Sequence, residues 1–338
     1  MVAKKERAIA LYSGGLDSIL AIKSILEQDI EVIGVYFRTP FLKKKPDHYG
    51  EQFLNVTLLI EDMSKDFQEI LLNPKHGFGK NKNPCIDCRI MMFKKAGALM
   101  VREKASFIIS GEVLGQRPMT QNKKSLLLIS EESGYGPVIL RPLSALLLPE
   151  TEPERRLIVE RSRLMAIQGR SRKKQIALAR QWGIQDYPSP AGGCKLTEPG
   201  FANRIKDLLT KKKYVSNDIE LLKVGRHFNI HEYIKLVVGR NEKENKIIIS
   251  LANPGDYLIS SYTHKGPVSL FRCYDSLVNR REGIEEILDL ACRITARYCD
   301  KEQRSDLVDI NIWRNNKIIR KCKQVSPISE QLIAYYII

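Results

Sequence analysis

Short apolar runs alternate with amphipathic segments through the first 145 residues of the chain. The runs at 8–11, 31–37, 56–60 and 106–110 are nearly continuous in apolar residues, which is typical of strands in a buried parallel sheet. Segments 63–72 and 84–104 instead place apolar residues at helical spacing. This alternation predicts an α/β fold with a doubly wound parallel sheet, which binds ligands outside the carboxyl ends of its strands.

The pattern changes further along the chain. Helices are expected near 47–53, from about 150 to 168, up to Trp182, and over 201–209, whereas apolar runs at 224–228, 233–238 and 246–251 predict short strands. The tripeptide Val-Gly-Arg begins at both 224 and 238, which indicates two paired strands more than a repeat. We therefore expect two domains, an α/β domain over residues 1–210 and a smaller α+β domain over residues 215–338.

A glycine-rich turn, Ser-Gly-Gly-Leu-Asp-Ser, follows the first apolar run and precedes a helical pattern. A strand, a flexible turn and a helix N-terminus together present backbone N–H groups and the positive end of the helix dipole to an anion. The expected phosphate-binding residues are Ser13, Gly14, Gly15, Asp17 and Ser18. Asp17 is also expected to hold the Mg²⁺ that accompanies phosphate. No lysine stands where a Walker A loop requires one, and a plain capped turn is the competing interpretation.

Three of the seven cysteines stand in segments that suit chemistry. Cys85 and Cys88 form a C-x-x-C at the start of a predicted helix, where the dipole lowers the pKa of a thiol, and Cys194 lies in a Gly-rich loop. Three thiolates without a fourth favour a [4Fe–4S] cluster with one open iron over a closed zinc site. Zinc stays open because His76 or Asp87 can complete such a site. The remaining cysteines are expected in structural positions: Cys273, Cys292, Cys299 and Cys322.

A polar loop, Ser-Gly-Glu-Val-Leu-Gly-Gln-Arg-Pro-Met-Thr-Gln, follows the apolar run at 106–110. Its glycines permit a close approach to a nucleotide, and its glutamines can hydrogen-bond phosphate or base. We expect ATP contacts at Gly111, Gly115 and Gln116. An ordinary polar loop is the alternative.

The chain carries 55 Lys and Arg against 39 Asp and Glu, a formal charge of +16. Such a charge favours a polyanionic partner, RNA before a membrane surface, although a basic proteome gives the same balance. Arg141 and the run at 170–174 are candidate phosphate or RNA contacts, or else solvated surface. No apolar run reaches the length of a membrane span, and residues 1–7 contain no signal-peptide core. We therefore expect a cytoplasmic protein with no membrane partner.

The glycine-rich turn at 13–18 resembles the PP-loop of the ATP pyrophosphatases, which adenylate their substrates. The loop after residue 110 resembles a Gly-Asp-x-x-Gly-Gln-x-x-Ser-Gln stretch of the 4-thiouridine synthetases of the ThiI type. Asn83-Pro84-Cys85 resembles the cysteine loop of 2-thiouridylases of the MnmA type. A C-x-x-C with one distant cysteine is similar to the cluster-dependent TtuA and archaeal ThiI types. The resemblance to tRNA-sulfurating PP-loop enzymes covers residues 8 to about 210.

The resemblance implies a Rossmann-like, HUP-type domain that uses ATP and Mg²⁺ to adenylate a carbonyl oxygen of a tRNA uridine, and then replaces AMP with sulfur. The product is a thiouridine, with 4-thiouridine favoured over 2-thiouridine. Asp17, Cys85 and Cys194 are then catalytic. Cys85, Cys88 and Cys194 would hold a [4Fe–4S] cluster, with zinc or a persulfide and no cluster as alternatives. The sulfur donor is inorganic sulfide, a cysteine desulfurase or another persulfide carrier.

One departure concerns tRNA docking. In the usual ThiI enzymes an N-terminal THUMP domain precedes the PP-loop, whereas here the PP-loop begins at residue 13. The resemblance therefore leaves the target uridine open. Two other functions also stay open: a PP-loop enzyme that adenylates a substrate other than tRNA, and a non-catalytic, zinc-containing RNA-binding protein.

Residues 224 to about 270 resemble the NFACT-R type of RNA-binding domain. We expect the second domain to hold tRNA through basic residues and tyrosines on short strands. The residues expected to contact tRNA are Arg226, Tyr233, Lys235, Arg240, Lys243, Lys246, Tyr257, Tyr262, Lys265 and Arg272. Across the whole chain, the foremost RNA-binding candidates are Arg170, Arg172, Lys173, Arg226 and Arg240. Whether the protein is a homodimer is left open.

Overall fold

The computed structural model describes residues 5–42, 54–185, 187, 193–211, 214–275, 283–300 and 307–338. The chain divides into two compact units, Met1–Thr197 and Glu198–Ile338. The helix expected near residues 47–53 lies outside the described residues. Within the described part of the chain, none of the helices combines the length and the apolar character needed to cross a membrane.

The first unit is built on a parallel sheet of five strands in the order β3-β2-β1-β4-β5. The strands are β1 (Arg7–Leu11), β2 (Glu31–Arg38), β3 (Thr57–Asp62), β4 (Phe107–Ser110) and β5 (Ile139–Leu140). Strand β1 pairs with β2 on one side and with β4 on the other, so the strand order reverses there. This confirms the predicted α/β sheet and places a topological switch point at the carboxyl ends of β1 and β4.

The helices of this unit are α1 (Leu16–Leu26), α2 (Ser64–Leu72), α3 (Cys85–Arg102), α4 (Lys123–Ser133), α5 (Glu152–Arg155) and α6 (Lys173–Gln181). Helix α1 packs against α6, whereas α3 packs against α2 and α4. Two separate groups of helices fit a doubly wound sheet. The core includes Ile19, Leu20 and Phe107, all fully buried.

The helix predicted from about 150 to 168 is wrong beyond its first turn, because only α5 forms there. Leu157 has a φ of +56°, which an α-helix does not allow. The guanidinium of Arg161 then donates to the carbonyl oxygens of Ala145 and Leu148, at 3.0 and 3.1 Å. These long-range bonds turn the chain back toward β5, and the apolar spacing alone did not indicate them.

The second unit contains an antiparallel sheet of six strands in the order β11-β10-β8-β9-β7-β6. Its strands are β6 (Arg226–His231), β7 (Ile234–Val238), β8 (Tyr257–Ser261), β9 (Val268–Cys273), β10 (Val308–Arg314) and β11 (Lys317–Val325). Its helices are α7 (Pro199–Thr210), α8 (Ser216–Leu221), α9 (Glu242–Ser250), α10 (Ile284–Arg297) and α11 (Glu330–Ile333). The predicted α+β class is confirmed. Helix α7, which the sequence boundary places in the first domain, lies in this second compact unit.

One predicted pairing in this unit is confirmed and one predicted strand is wrong. Arg226 lies opposite Val238 in the β6–β7 pair, so the two Val-Gly-Arg tripeptides do belong to paired strands. The segment 246–251, expected as a strand for its isoleucines, belongs mostly to helix α9. Asn241 caps this helix, because its side chain accepts a 3.0 Å hydrogen bond from the Glu244 backbone N–H. The cap overrides the β preference of the isoleucine run.

The two faces of the antiparallel sheet pack on different helices. On one face, α10 packs against a core that includes Phe271, Ile310 and Ile312. On the other face, α8 and α9 contribute Leu221 and Ile248 to a smaller cluster over the β7 and β9 strands. Cys292 and Cys299 are buried in the first of these cores, as expected for structural cysteines.

Candidate active site

The glycine-rich turn closes on itself between β1 and α1. Gly14 has a φ of +69°, in the left-handed region that favours glycine. The Ser18 hydroxyl donates to the Gly15 carbonyl oxygen at 2.7 Å, and the Ser13 Oγ lies 3.3 Å from the Ser18 Oγ. The two serines therefore shape the turn at the helix N-terminus, where the dipole and the first-turn N–H groups favour an anion.

Asp17 follows this turn and has two unlike carboxylate oxygens. Its Oδ2 accepts a 2.8 Å hydrogen bond from Gln116 Nε2, and the Arg172 guanidinium lies 3.8 Å from the same oxygen. Its Oδ1 is buried and has no hydrogen-bond partner among the described residues. A buried polar atom left without a partner costs about 1–3 kcal/mol, and more when the group is charged. An oxygen ligand of this kind suits Mg²⁺, so the residues present fit that ion.

Gln175 is a residue of this site that the sequence analysis missed. Its Nε2 donates to Gln116 Oε1 at 3.3 Å, and its side chain is fully buried in the first turn of α6. A signal was available, because Gln175 stands one helical turn before the buried Ala179 and so shares the inward face of α6. A buried glutamine on an otherwise apolar stripe needs a polar partner.

The predicted RNA contacts at 170–173 differ in exposure. The Arg172 side chain is only 17% exposed and lies beside Asp17, and its role in RNA contact stays a prediction. Arg170 and Lys173 are exposed, as an RNA contact requires, and their role stays a prediction.

Gly111 packs tightly against the N-terminus of α1. A Cβ built on it would lie 2.5 Å from the Asp17 carbonyl oxygen and 2.6 Å from the Ser18 nitrogen. The loop after β4 therefore crosses the N-terminus of α1 in direct backbone contact. Its missing side chain lets the two chain segments meet, and the expected ATP contact of Gly111 stays a prediction. Gly115, with a φ of +76°, sustains the tight turn that presents Gln116.

A buried ion pair lies behind this loop. Glu112 accepts a 3.0 Å hydrogen bond from Arg141 Nε, and both side chains are at most 5% exposed. Arg141 also donates to the Ser130 hydroxyl at 3.0 Å and to the Leu126 carbonyl oxygen at 3.3 Å. The expectation that Arg141 contacts phosphate or RNA is therefore wrong, since all its polar groups serve the core of the first unit.

The cysteine segment packs directly on the loop after β4. The Asn83 side-chain amide donates to Cys85 Sγ at 3.1 Å and lies 3.8 Å from Met119 Sδ. Gly79 has no room for a side chain, because its Cβ would lie 2.4 Å from that amide nitrogen and 2.8 Å from Met119 Sδ. The thiol of Cys85 is thus held against the same loop that carries Gln116.

Electrostatics also link the thiol and carboxylate ends. The pKa of Arg117 is lowered. The main cause is desolvation of its guanidinium, and the positive charge of Arg89 adds to the effect. Asp17 and Cys85 both act in the opposite direction on the same group. Arg117 and Arg89 therefore place positive charge between the PP-loop and the C-x-x-C.

The three candidate cysteines influence one another. Burial raises the pKa of Cys88 to about 12, and Cys194 and Cys85 both add to this shift. The expected lowering by the helix dipole is therefore wrong for Cys88. Cys194 reaches this region through a short antiparallel bridge to Leu42. The described residues nevertheless contain no group of three or more His, Cys, Asp or Glu side chains placed to hold a metal ion.

Neither residue considered as a fourth zinc ligand is available in this arrangement. The Asp87 carboxylate accepts the backbone N–H groups of Lys75 and His76, both at 3.1 Å. The His76 Nε2 lies 3.2 Å from Glu132 Oε2. Asp87 therefore shapes the loop before the C-x-x-C, and His76 faces a different carboxylate. Three candidate thiols remain, and their binding of a cluster stays a prediction.

Several residues of the second unit expected to bind RNA are buried. Lys235, 1% exposed, pairs with Asp207 at 2.7 Å, and Arg272 pairs with Asp218 and Asp256 at 2.6 and 2.7 Å. For these two basic residues the expectation is wrong. The prediction that Tyr257 stacks on a base is also wrong, because its ring packs edge-on against Phe271 in the core with ring centroids 5.4 Å apart.

The two residues of this unit named foremost for RNA contact remain accessible. The Arg226 guanidinium lies over the Tyr298 ring, 4.5 Å from its centroid. Arg240 is exposed, and its guanidinium lies 3.6 Å from the Glu244 carboxylate. Their role in RNA contact stays a prediction.

Parts of both units match the models of known protein families. Residues 3–147 match the model of the thiamine biosynthesis protein (ThiI) family, and residues 225–337 match the model of the NFACT protein RNA binding domain. The first match includes the PP-loop, the C-x-x-C and the loop after β4. The resemblance of these motifs to the ThiI type, and of the second unit to the NFACT-R type, is confirmed.

Two curated relatives match only part of the chain. A probable tRNA sulfurtransferase of Thermococcus kodakarensis is 30% identical over 155 residues, which cover 43% of this chain and 39% of the relative. A tRNA-specific 2-thiouridylase MnmA of Helicobacter pylori is 33% identical over 91 residues, which cover 24% of this chain and 27% of the relative. The chain thus spans well under half the length of either relative.

Among solved structures, a 4-thiouridine synthetase–RNA complex with bound ATP aligns with a TM-score of 0.33 and 18% identity. The alignment covers 64% of this chain and 52% of that one.

Proposed function

We propose that this protein adenylates a carbonyl oxygen of a tRNA uridine with ATP and then replaces AMP with sulfur, giving a thiouridine. The observation that carries the proposal is the Asp17 carboxylate at the switch point of the sheet, with one oxygen fixed by Gln116 and the other buried without a partner. The match of residues 3–147 to the ThiI family and the two relatives named for tRNA sulfur chemistry support the substrate class.

The PP-loop end would serve the adenylation step. The turn at 13–18 receives the pyrophosphate portion of ATP, and Arg172 and Arg117 supply positive charge on its flanks. Asp17 would hold Mg²⁺, which would supply positive charge to the leaving pyrophosphate. The uridine carbonyl oxygen attacks the α-phosphorus, the bond from that phosphorus to the bridging oxygen breaks, and pyrophosphate leaves with the electron pair.

The cysteine end would serve the sulfur step. Sulfide, or the terminal sulfur of a persulfide, attacks the activated carbon. The carbon–oxygen bond to AMP breaks, and AMP leaves with the electron pair. Cys85, Cys88 and Cys194 would hold a [4Fe–4S] cluster, which would supply an open iron site for inorganic sulfide. Without a cluster, a persulfide carrier would hand its outer sulfur to one of these cysteines. That persulfide would deliver its terminal sulfur, and a second cysteine would complete the release as a disulfide.

The second unit would hold the tRNA. Its match to an RNA-binding domain and the formal charge of +16 on the chain support this division of labour. We place ATP chemistry within residues 1–210 and RNA binding within residues 215–338. Between the two thiouridines, we favour 4-thiouridine, because the loop after β4 follows the ThiI pattern.

The decisive experiment is a thiolation assay on an unmodified tRNA transcript with ATP, Mg²⁺ and sulfide under anaerobic conditions. Nucleosides are analysed by mass spectrometry, and pyrophosphate is counted in parallel. We expect 4-thiouridine together with tRNA-stimulated pyrophosphate release. Pyrophosphate release that ignores tRNA would support adenylation of another substrate. Specific tRNA binding without any ATP turnover would support a non-catalytic RNA-binding protein.

A separate experiment decides how sulfur is carried. Protein reconstituted anaerobically with iron and sulfide is analysed for metals and for visible absorbance. We expect iron and absorbance that disappear in Cys85→Ala, Cys88→Ala and Cys194→Ala but persist in Cys292→Ala, which lies in the core of the second unit. Thiolation from a persulfide donor by protein with no bound iron would assign the persulfide route. Stoichiometric zinc without iron would contradict the cluster and leave the persulfide route standing.

A further inference from the structure

The described residues cover one face of the antiparallel sheet of the second unit over only part of its width. Over β7 and β9 this face packs on α8 and α9, and the cluster reaches Leu258 of strand β8. Beyond β8 the same face continues onto β10 and β11. There Asn311 lies opposite Lys321, and Trp313 lies opposite Ile318.

Alternation along β10 separates this face from the core. Val308, Ile310 and Ile312 are fully buried against α10. The residues between and after them, Asp309, Asn311 and Trp313, must lie on the opposite side, because successive residues of a strand point to opposite faces. We call the surface formed by Tyr262, Asp309, Asn311, Trp313, Ile318, Lys321 and Lys323 the β10–β11 face.

The β10–β11 face carries aromatic and apolar groups that remain accessible. Tyr262 is 45% exposed, and its hydroxyl donates to Asp309 Oδ2 at 3.0 Å. Ile318 is 40% exposed, and Trp313 is half-buried beside it. Tyrosine and tryptophan with their rings held at a strand surface are the groups on which unpaired bases stack.

The same face is positively charged. Strand β11 contains four Lys and Arg and no Asp or Glu. Arg320 is taken up on the core side, where it pairs with Glu285 and Asp289 of α10. Lys321 and Lys323 are exposed, and the acid that influences this face is Asp309, whose low pKa reflects first the Gln324 backbone N–H and also Lys323. The remaining positive charge complements a phosphate backbone.

Asn311 adds an unsatisfied acceptor in the middle of the face. It is 8% exposed, and its Oδ1 has no hydrogen-bond donor among the described residues. Because this oxygen is buried, the contacts to RNA fall to the accessible groups around it.

We propose that the β10–β11 face is the RNA-binding surface of the second unit, and that it takes an unpaired stretch of RNA with one base stacked on Trp313 and phosphates at Lys321 and Lys323. This inference rests on the proposed function for the identity of the RNA as tRNA. It differs from the sequence expectation, which placed the surface at other basic residues. An acidic protein segment would match the charge but would have no ring to stack on Trp313.

The test measures binding of the full-length chain to two probes, an unmodified tRNA transcript and a single-stranded RNA oligonucleotide, as a function of salt. The variant Lys321→Gln/Lys323→Gln is matched by Lys123→Gln/Lys124→Gln, which removes two exposed lysines from helix α4 of the first unit. We expect the first variant to lower the slope of log affinity against log salt by about 1.5 to 2 for each probe, and the second to leave it unchanged.

Trp313→Phe and Trp313→Ala test stacking independently of charge. The chain has two tryptophans, so RNA-induced fluorescence quenching in wild type should disappear in both variants if Trp313 stacks on a base. Trp313→Ala should also weaken binding about tenfold, while Trp313→Phe, which keeps a ring and the strand packing, should bind within about threefold of wild type.

The outcomes separate this inference from the proposed function. Unchanged salt slope and unchanged quenching in folded variants would overturn the β10–β11 face, whatever the thiolation assay shows. If the lysine variant binds polyglutamate more weakly than wild type but binds RNA equally well, the proposal is also overturned, in favour of an acidic protein partner. Weaker RNA binding by the variants with no thiolation by wild type would support the face and contradict the enzyme proposal.

Discussion

Gln116 donates a 2.8 Å hydrogen bond to Asp17 across 99 positions of the chain. Gln116 lies in the loop after β4 and Asp17 in the first turn after the β1 loop, so this bond joins the two strand ends between which the sheet order reverses. It fixes one oxygen of the carboxylate and leaves the other for a cation. Under the proposed function, this geometry would make a helix-start aspartate, which is a common capping residue, a ligand for Mg²⁺.

Asp17→Asn should abolish ATP-dependent pyrophosphate release without unfolding the protein. The amide is nearly isosteric with the carboxylate and can still accept from Gln116, but it carries no charge for Mg²⁺. Pyrophosphate release with tRNA present and the thermal midpoint are measured on the same preparation. Asp29→Asn, at an exposed turn of the same unit, is the control. Near wild-type release by Asp17→Asn would contradict the PP-loop assignment.

Gly111→Ala should destabilise the first unit by about 1–3 kcal/mol and raise the KM for ATP. The new methyl group meets the backbone of Asp17 and Ser18 at 2.5 and 2.6 Å, and backbone cannot move aside cheaply. Gly200→Ala is the matched control, since nothing lies within 4 Å of its Cβ position, and a helix there should gain slightly. Equal stability of the two variants in urea would refute the close backbone contact.

Arg141→Met should cost about 3–5 kcal/mol, because Glu112 would remain buried with the more distant Arg89, 3.6 Å away, as its ion-pair partner. Adding Glu112→Gln should restore much of that loss, since no charge is then left buried. Unfolding is followed in a Trp313→Phe background, so that Trp182 reports on the first unit alone. A double variant no more stable than the single one would show that packing of Arg141 matters more than its charge.

Acid stability should depend on Asp62. Hydrogen bonds from the side chain and the backbone N–H of Ser64, with Arg38 adding a third, lower the pKa of this carboxyl from 3.8 to about 2. The folded form therefore binds fewer protons than the unfolded chain in that window, and the stabilisation present above pH 3.8 is lost as the pH falls toward 2. Asp62→Asn should flatten the decline. A parallel decline for both proteins between pH 5 and pH 2 would assign acid sensitivity to other groups.

Local features of the site could be predicted from the sequence. The strand, glycine-rich turn and helix around residues 8–26 are specified by neighbouring residues, so both the element order and the Asp17 position followed from pattern alone. The C-x-x-C at a helix start was likewise local. For the same reason the antiparallel pairing of the two Val-Gly-Arg segments was predictable.

Features that depend on distant residues could not be predicted in this way. The backbone contact of Gly111 with Asp17, the burial of Arg141 with Glu112 and the place of Arg172 beside the PP-loop all arise from how the sheet assembles. Basic residues show this limit most clearly, because a lysine has the same local pattern whether it faces solvent or, like Lys235, pairs with a buried aspartate. Charge counts indicate a partner and leave its docking surface undetermined.

The side-chain amide of Asn83 contacts two sulfur atoms, Cys85 Sγ and Met119 Sδ, that belong to opposite ends of the site. A displacement of the loop after β4 would therefore stretch or break the hydrogen bond from Asn83 to the Cys85 thiol. The alkylation rate of Cys85 should then change when ATP binds. The change can be measured on protein that has no tRNA or sulfide bound.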